Sequence, residues 1–490
     1  GSQPVRPAPR PREGTVSDPR VVVLGAGPAG VGAAFQLHRT GRGTATVLEQ
    51  RESVGGNAGS FSFAGQRLDY GSHRLHPACD PEILADIRAL LGDELLDRPR
   101  HGRIRLRGRW IHFPLKPLDL MLRLDPRFAA GTAADMVRRV LPSGGVGGPE
   151  SFASVLRESL GPTICEQFYF PYARKIWGAD PSELSAVQAR RRVSASSFTK
   201  LARKVLGQIP GLRKPGAGRF YYPREGYGAI SEAFEDRAAD LGAEFLLGWR
   251  VTEVHRPEED DAPWRVVAER DGETRTVEGD LLWSTLPITL LARMHRPAPP
   301  EDVMAAAGSM EYRSMLLIYL QVPVDRFTEY DAHYFPGEDV SITRLSEPKI
   351  YADLDEPRGS TVLCAELPCG FQDEHWEATD SELARTVAGD LARAGIPLPE
   401  NAEAVLVRRL RHAYPIYRTG YEGPFRALDQ WSSQQDRLLT YGRQGLFAHD
   451  NTHHALYMAY AAVDCLGEGG FDTAKWAAYR REFETHVVED

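Results

Sequence analysis

One glycine-rich turn, set between a short apolar strand and a helix, constrains the fold of this chain most. The apolar stretch Arg20–Leu24 leads into Gly25–Gly30, which has glycines at its first, third and sixth positions, and Val31–Arg39 has helical character. Thr44–Glu49 then has the pattern of a second strand. Glycines at this spacing permit a tight turn, close approach of a pyrophosphate and tight helix packing, and the helix N-terminus adds N–H dipoles. The order predicts an N-terminal βαβ dinucleotide-binding unit.

The residues after the second strand favour FAD over a nicotinamide cofactor. Glu49 ends that strand, where a carboxylate receives ribose hydroxyls. Gly55 and Gly56 follow shortly and let the backbone approach a second part of a long cofactor, although a simple surface turn is the alternative interpretation. The predicted cofactor contacts in this region are Gly25, Gly27, Pro28, Ala29, Gly30, Glu49, Gln50, Gly55, Gly56 and Asn57.

The length of 490 residues exceeds what one hydrophobic core usually supports, so we expect two domains. Segments typical of a dinucleotide fold occur at the start, middle and end of the chain, separated by helical and sheet segments of another type. The predicted class is α/β with α+β elements, a discontinuous Rossmann-like FAD-binding domain with an interleaved substrate domain. The expected boundaries are 1–18 as a disordered tail, 19–78, 219–298 and 432–490 as the FAD-binding domain, and 79–218 and 299–431 as the substrate-binding domain.

Composition excludes some functions and sets expectations for others. A formal net charge of −8 and a pI near 6.0 give no surplus of positive charge for nucleic acid. The five cysteines are scattered and show no metal-clamping spacing, so we expect free thiols in a reducing cytoplasmic compartment and no metal. No apolar stretch reaches the roughly 20 residues of a membrane span. Only one complete glycine-rich βαβ unit is visible, so NADH or NADPH is expected at most as an external reductant, and the oligomeric state is left open.

Local patterns predict further elements along the chain. The predicted helices are Pro81–Leu91, Tyr227–Leu241, one beginning near His454, and Thr473–Val488. The predicted strands and hairpins are Gly102–Phe113 about Gly108, Glu244–Arg250, Val251–Arg256, Trp264–Val277 about Asp271-Gly272, Asp280–Ser284, Tyr312–Val322, Val340–Thr343 and Thr361–Leu367. Ser143–Pro149 and Gly207–Gly218 are predicted loops.

A series of motifs in fixed order resembles the flavoprotein superfamily of protoporphyrinogen oxidases, amine oxidases and UDP-galactopyranose mutases. The motifs are Gly25–Gly30 with Glu49 and Gly55-Gly56-Asn57, Asp69–His76, Phe168–Gly178, Asp180–Leu184, Tyr222–Gly228, Leu282–Pro287, Ile342–Arg344 and Gly442–Gly445. The resemblance is strongest to bacterial mutase-like members and spans nearly the whole chain after the tail.

The resemblance implies an extended FAD with its isoalloxazine ring at the domain junction. The backbone near Val251 would meet the adenine, and His73 and Arg74, in the loop Tyr70–His76, would pass close to the flavin ring. The final FAD-contacting helix would involve Asp450, Asn451 and Ala455. The residues themselves agree at this last point, since Asp450 or Asn451 is a suitable N-cap.

Two arginines also match the mutases, and two neighbouring positions do not. Arg344, within Thr343-Arg344-Leu345, resembles their arginine that closes over a sugar diphosphate, and Arg443 resembles one in their C-terminal motif; a guanidinium suits phosphate oxygens, although a salt bridge is the alternative. His449 and Asn451 stand where the mutases have Tyr and Asp. Their second substrate-side arginine aligns with Ala195, with Arg190, Arg191 and Arg192 close by. These departures weigh against a strict galactopyranose mutase.

Histidines and aromatic residues near these motifs supply the candidate chemistry. A histidine can pass protons while a flavin takes a hydride, and the candidates for such a role are His73, His76 and His449, with His453 and His454 beside them. The predicted catalytic set is His73, His76, Arg344 and His449, and the predicted substrate-binding set is Tyr172, Arg174, Trp177, Tyr417 and Arg443.

Three functions are consistent with these residues. The first is an FAD-dependent oxidoreductase acting on a polar, sugar-like or glycosylated small molecule in a biosynthetic pathway. The second is a redox-neutral, reduced-flavin sugar isomerase resembling UDP-galactopyranose mutase. The third is a non-catalytic flavin-binding protein.

Overall fold

The computed structural model describes residues 18–114, 119, 122–140, 150–192, 218–400 and 402–488. The expected tail before Asp18, the loop 143–149 and the stretch 207–217 lie outside the described residues, as does Ala195. Within the described part, no helix is both long enough and apolar enough to cross a membrane.

A five-stranded parallel sheet forms the dinucleotide-binding half of the molecule. Its strands, in spatial order, are Leu438–Thr440, Leu281–Ser284, Arg20–Leu24, Thr44–Glu49 and Glu244–Leu247. Val21 is in register with Leu281 on one side and with Ala45 on the other. Helices Pro28–Thr40, Ala229–Asp240 and Thr452–Asp464 pack together on one face of this sheet. The predicted βαβ unit is therefore present in the predicted order.

A seven-stranded mixed sheet forms the other half. Its strands, in order, are Ala404–Pro415, Tyr312–Val322, Thr361–Cys369, Arg344–Ser346, Ala332–Tyr334, Gly102–Leu106 and Arg109–Phe113. Helix Asp380–Arg393 covers one face through Leu383, Val387 and Leu391, which pack with apolar residues of the sheet. The opposite face looks towards the loop Tyr70–His76, because Glu366 of the third strand accepts a hydrogen bond from the Ser72 N–H.

Smaller elements complete the fold. A four-stranded sheet contains Glu273–Gly279, Trp264–Arg270, Arg250–His255 and His295–Arg296, and three two-stranded ribbons pair Ser60–Phe63 with Gln66–Asp69, Leu95–Pro99 with Arg219–Pro223, and Leu466–Gly467 with Gly470–Phe471. The remaining α-helices are Pro81–Leu91, Pro126–Val140, Phe152–Leu160, Pro162–Ile164, Phe170–Trp177, Ala186–Arg192, Ile288–Met294, Glu301–Ser309, Pro348–Tyr351, Glu374–Glu377, Glu422–Ser433, Gly442–Gly445 and Thr473–Phe483. Gly56–Ala58 and Gly92–Glu94 form 3₁₀ turns, and Cys165–Tyr169 forms a π turn.

Most predicted elements are confirmed, with shifts of one to a few residues at their ends. One prediction is wrong: the strand expected at Val340–Thr343 is instead Arg344–Ser346. The reason is that the Ser341 and Ile342 N–H groups bind the Asp390 carboxylate at 2.7 and 3.2 Å, which takes them out of strand pairing. All five cysteines are buried free thiols, as expected.

We propose that the two-domain division follows the two large sheets. Every strand of the parallel sheet falls within 19–78, 219–298 or 432–490, and every strand of the seven-stranded sheet falls within 79–218 or 299–431. The chain therefore crosses between the two sheets repeatedly.

Candidate functional site

The turn Gly25–Gly30 is shaped for a phosphate group. Gly25 has φ +93°, and a Cβ at Gly30 would lie 1.9 Å from the Gly25 carbonyl oxygen, so the turn cannot close around larger residues. A Cβ at Gly27 would meet nothing within 4 Å. Gly27 is also the N-cap of helix Pro28–Thr40, whose first N–H groups have no side-chain cap. Open space in front of an uncapped helix N-terminus fits a pyrophosphate.

Glu49 and the second glycine pair extend this site. The buried Glu49 carboxylate accepts hydrogen bonds from the N–H groups of Ala26 (3.0 Å) and Arg51 (2.9 Å), which fixes it beside the turn. Four lone-pair positions on a carboxylate leave room for ribose hydroxyls as well. The Gly55 N–H donates to the Ala26 carbonyl at 2.8 Å, and a Cβ at Gly56 would lie 3.3 Å from the Gly27 Cα. The two glycine segments therefore abut, and the residues present fit an FAD.

Helix Thr452–Asp464 closes the same region. Asn451 is its N-cap and forms a capping box with His454, which confirms the expected N-cap. A Cβ at Gly32 would lie 2.9 Å from a methyl carbon of Leu456, so helices Pro28–Thr40 and Thr452–Asp464 are in close contact. Asp450 and Ala455 are buried at the start of this helix. Val251 is partly buried in strand Arg250–His255 of the four-stranded sheet.

His73 lies in the loop Tyr70–His76, and its hydrogen bonds fix one tautomer of the ring. Its Nε2 lies 2.9 Å from the Asn57 carbonyl oxygen and 3.0 Å from the Tyr70 carbonyl oxygen. A carbonyl can only accept, so Nε2 carries the proton and Nδ1 keeps a lone pair. The ring stacks on Tyr227 at a centroid distance of 5.2 Å, and burial lowers the pKa of His73. The imidazole is therefore neutral near pH 7.

Arg344 reaches the same loop and is ion-paired. Its Nε and Nη2 donate to the two oxygens of Glu366 at 3.0 and 2.9 Å, and Nη2 also donates to the Ser72 carbonyl at 3.1 Å. Both side chains are largely shielded, with 18% of Arg344 and 5% of Glu366 exposed. The arginine predicted to bind an anion is therefore already matched by a carboxylate.

Arg74 forms a second matched pair close by. Its guanidinium donates to Asp331 at 3.2 Å and to the hydroxyls of Tyr334 and Tyr351, both at 2.9 Å. Tyr351 also lies 2.6 Å from the Ser72 hydroxyl, which connects this pair to the loop. The loop Tyr70–His76 is thus lined by charge-balanced polar groups.

Four of the other predicted site residues, Trp177, Tyr417, Arg443 and His449, lie together in an aromatic group. His449 is buried and meets the rings of Trp177 and Tyr417 edge-on, at 5.0 and 4.6 Å. The Tyr417 hydroxyl donates to the Phe447 carbonyl at 2.7 Å. Arg443 donates to the Ala413 carbonyl at 2.8 Å and covers the Tyr414 ring.

The other predicted residues lie elsewhere. Tyr172 stacks on Phe168 at 6.3 Å, and Arg174 is 39% exposed beside Asp180 and Glu338. His76 accepts a hydrogen bond from the Ala78 N–H at 3.0 Å, within its own loop. Gln50 is exposed at the end of the second strand.

Asp450, His454 and His486 cluster within 4.8 Å of one another, but their geometry does not suit a metal ion. The His454 and His486 rings are stacked, 13° from parallel with centroids 4.2 Å apart. A ligated ion lies near the plane of each imidazole, and two stacked rings cannot share such an ion. His454 Nδ1 also accepts the Asn451 N–H, so its lone pair is occupied.

Sequence reasoning missed the partners of the two arginines. Glu366, Asp331, Tyr334 and Tyr351 were not among the predicted site residues. Glu366 had a readable signal, because it is the one charged residue in the buried strand Thr361–Cys369. The other three come from short segments whose sequence has no periodicity, and only the tertiary fold brings them to Arg74.

Comparison with known proteins agrees with this architecture. Residues 28–462 match the family of flavin containing amine oxidoreductases. The chloroplastic protoporphyrinogen oxidase of Nicotiana tabacum is 23% identical over 92% of this chain and 84% of its own length. The solved structure of a reduced UDP-galactopyranose mutase superposes with a TM-score of 0.78 at 22% identity, over 96% of this chain and all of that one. Cyclohexylamine oxidase from Brevibacterium oxydans gives 0.65 at 18% identity, over 92% and 99%.

The turn, the carboxylate at the second strand end and the capped helix Thr452–Asp464 define a flavin-dependent enzyme that binds FAD. The chain belongs to the flavin containing amine oxidoreductase family.

Proposed function

We propose that this enzyme is an oxidoreductase acting on a polar, sugar-like or glycosylated small molecule in a biosynthetic pathway. One observation carries the proposal: two guanidinium groups beside the loop Tyr70–His76 are balanced by carboxylates, Arg344 by Glu366 and Arg74 by Asp331. A charge-balanced site rich in hydroxyls and N–H donors suits a neutral substrate that carries hydroxyl groups better than a diphosphate.

His73 is the residue we assign to proton transfer in this proposal. Its Nε2–H is committed to backbone carbonyls, and its neutral ring leaves Nδ1 as the acceptor. When bound, FAD supplies the two-electron acceptor. NADH or NADPH is proposed as a possible external reductant, and the cytoplasm as the compartment.

A redox-neutral sugar isomerase is the second candidate, and Arg344 favours it. The Arg344 guanidinium already donates from its planar edge to the two carboxylate oxygens of Glu366. A phosphate that displaced Glu366 would bind with the same geometry. The proposals differ in whether a substrate displaces Glu366 from Arg344.

Stopped-flow mixing of the dithionite-reduced holoenzyme separates the candidates. One arm mixes it with oxygen, and the other supplies UDP-sugars under anaerobic conditions with analysis of the products. Rapid reoxidation, on the scale of milliseconds to seconds, supports the oxidoreductase. Slow reoxidation together with sugar turnover only in the reduced state supports the isomerase and overturns our first proposal.

A matched pair of variants tests the assignment of His73. His73→Asn removes the proton acceptor, whereas His255→Asn changes a histidine of the four-stranded sheet whose Nε2 lies 2.8 Å from the Glu253 carboxylate. We expect the first to lower the rate of flavin reduction by substrate about a hundredfold, in the range of general-base effects, and the second to leave it unchanged. Equal rates for both variants would remove His73 from the mechanism.

A further inference from the structure

A cavity of about 250 Å³ opens beside the hairpin Gly102–Leu106 and Arg109–Phe113. Charged, imidazole and aromatic groups make most of its wall. The lining residues are His101, Arg103, Trp110, Ile111, His112, Asp119, Arg123 and Tyr330. The volume lies just below the range of roughly 300 to 1,000 Å³ typical of pockets for drug-sized ligands, so it suits a small molecule.

This cavity lies on the face of the seven-stranded sheet opposite the candidate active site. His333, Arg103 and His112 are directly paired across three neighbouring strands and therefore share one face. Tyr334 is the next residue along its strand, so it points to the other face, where its hydroxyl accepts the hydrogen bond from Arg74. Arg103 therefore projects from the face opposite to Tyr334, while the lining residue His101 donates its backbone N–H to Asp331, the partner of Arg74.

Arg103 is held flat between two aromatic rings. Its guanidinium carbon lies 4.1 Å from the Trp110 ring centroid and 4.6 Å from that of Tyr330. Such stacking occupies both faces of the guanidinium and leaves its edge N–H groups free. Among the described residues, the buried Nε of Arg103 has no hydrogen-bond partner, and no carboxylate lies within 4.0 Å of its guanidinium nitrogens.

The other charges of the cavity are largely matched. Asp119 pairs with Arg123 at 2.9 Å and accepts the His112 N–H at 2.8 Å. His112 donates through Nδ1 to the Pro114 carbonyl, so its Nε2 accepts from His101 Nδ1 at 3.1 Å. Glu329 lies 3.8 Å from His101 Nε2 and is 72% exposed, towards solvent. Among the described lining residues, Arg103 is thus a cation with no carboxylate in direct contact, and the exposed Glu329 acts on it only from a longer distance.

We propose that this cavity is a second ligand-binding site, which takes a small carboxylate or phosphate ester on the free edge of Arg103. The edge of a guanidinium donates two parallel hydrogen bonds that match two oxygens of such a group. An oxyanion bound to Arg103 would accept a hydrogen bond from the buried Nε and neutralise the charge of the guanidinium. The stacked pair of Tyr330 and His101, with ring centroids 4.8 Å apart, lines the same cavity and offers its ring edges to the apolar part of the ligand.

Calorimetric titration of the FAD-loaded enzyme tests the site with two probes, inorganic phosphate and 4-bromobenzoate. Arg103→Gln removes the charge and the paired donors, and Arg265→Gln removes an exposed arginine in the strand Trp264–Arg270, far along the chain from the cavity. We expect at least a tenfold increase in Kd for Arg103→Gln and no change for Arg265→Gln, because charge-assisted hydrogen bonds are lost only in the first. Arg103→Lys keeps the charge without the fork and should give an intermediate Kd.

Preference between the probes identifies the ligand class: tighter binding of 4-bromobenzoate indicates an aromatic carboxylate, and tighter binding of phosphate indicates a phosphate ester.

A crystal of the wild-type enzyme soaked in 4-bromobenzoate provides a readout that needs no variant, since the bromine gives an anomalous peak. A peak in the cavity beside Arg103 supports the site even if Arg103→Gln fails to fold. No binding of either probe at millimolar concentration, equal Kd values for wild type and Arg103→Gln, or a bromine peak only elsewhere would overturn the proposal.

Discussion

Arg344 and Glu366 form a bidentate ion pair at the centre of the candidate site, with N–O distances of 3.0 and 2.9 Å. Because 18% of the arginine and 5% of the glutamate side chain are exposed, removing one partner leaves the other charge desolvated and uncompensated. Breaking a buried pair in this way typically costs about 3–5 kcal/mol. We expect Arg344→Ala to lower the free energy of unfolding by about this amount, measured by urea denaturation.

The matched comparison for this pair is the double variant Arg344→Met/Glu366→Leu. Replacing both charges with apolar groups avoids the unpaired carboxylate, so the double variant should be more stable than Arg344→Ala. Substrate binding should be lost in both. If Arg344→Ala proves as stable as the wild type, the ion pair is solvent-screened and Arg344 is free to bind an anion.

Gly27→Val should empty the cofactor site without unfolding the protein. A Cβ at Gly27 meets nothing within 4 Å of the protein, and a valine side chain there occupies the space proposed for the pyrophosphate. We expect a flavin content below about a tenth of the wild type, from absorbance at 450 nm, with far-UV circular dichroism unchanged.

Gly308→Ala is the control for this experiment. Gly308 also has open space around a Cβ, but it lies in helix Glu301–Ser309. This variant should retain stoichiometric flavin. Full flavin content in Gly27→Val would show that the cofactor lies elsewhere.

The glycine pattern of the sequence predicted the cofactor-binding fold. The ion pairs on the substrate side could not be predicted from the sequence. Gly25 is required by its positive φ, and Gly30 by the close approach of its Cβ position to the Gly25 carbonyl oxygen, and such local constraints leave local patterns in the sequence. Glu366 contacts Ser72 across 294 positions of the chain, and Asp331 contacts Arg74 across 257. Such pairs arise when a sheet packs against a distant loop. The local periodicity of the sequence contains no signal for that packing.

The misplaced strand near Arg344 has a similar cause. The sequence around Val340–Thr343 is rich in residues that favour strands, yet a carboxylate on a helix, Asp390, binds the N–H groups of Ser341 and Ile342. Strand propensity was overridden by a tertiary hydrogen bond. The strand then starts at Arg344, whose side chain faces Glu366 on the neighbouring strand.

Glu49→Gln should weaken FAD binding about ten- to a hundredfold. The Glu49 carboxylate accepts from two backbone N–H groups, and the amide nitrogen of glutamine cannot accept from either. Loss of charge-assisted hydrogen bonds of about 1.5–3 kcal/mol corresponds to that change in affinity. Fluorescence titration of the apoenzyme with FAD measures it, and an unchanged Kd would contradict the ribose role of Glu49.

The stability of the protein should fall between pH 7 and pH 5, in part through His333. This side chain is 2% exposed, and burial, with Arg103 nearby, lowers the pKa of His333 to about 3. In the unfolded chain a histidine has a pKa near 6.5, so below that pH the unfolded state binds a proton that the folded state does not. The contribution of the neutral ring is therefore complete above about pH 6.5 and is lost as the pH falls towards 3. At about 1.4 kcal/mol per pH unit, this one histidine accounts for about 2 kcal/mol between pH 7 and pH 5.

Urea denaturation of wild type and His333→Gln at the two pH values isolates this contribution, because other titrating groups are common to both proteins. The loss of unfolding free energy should be smaller in His333→Gln by about 2 kcal/mol, and an equal loss in both proteins would show that His333 is protonated in the folded state.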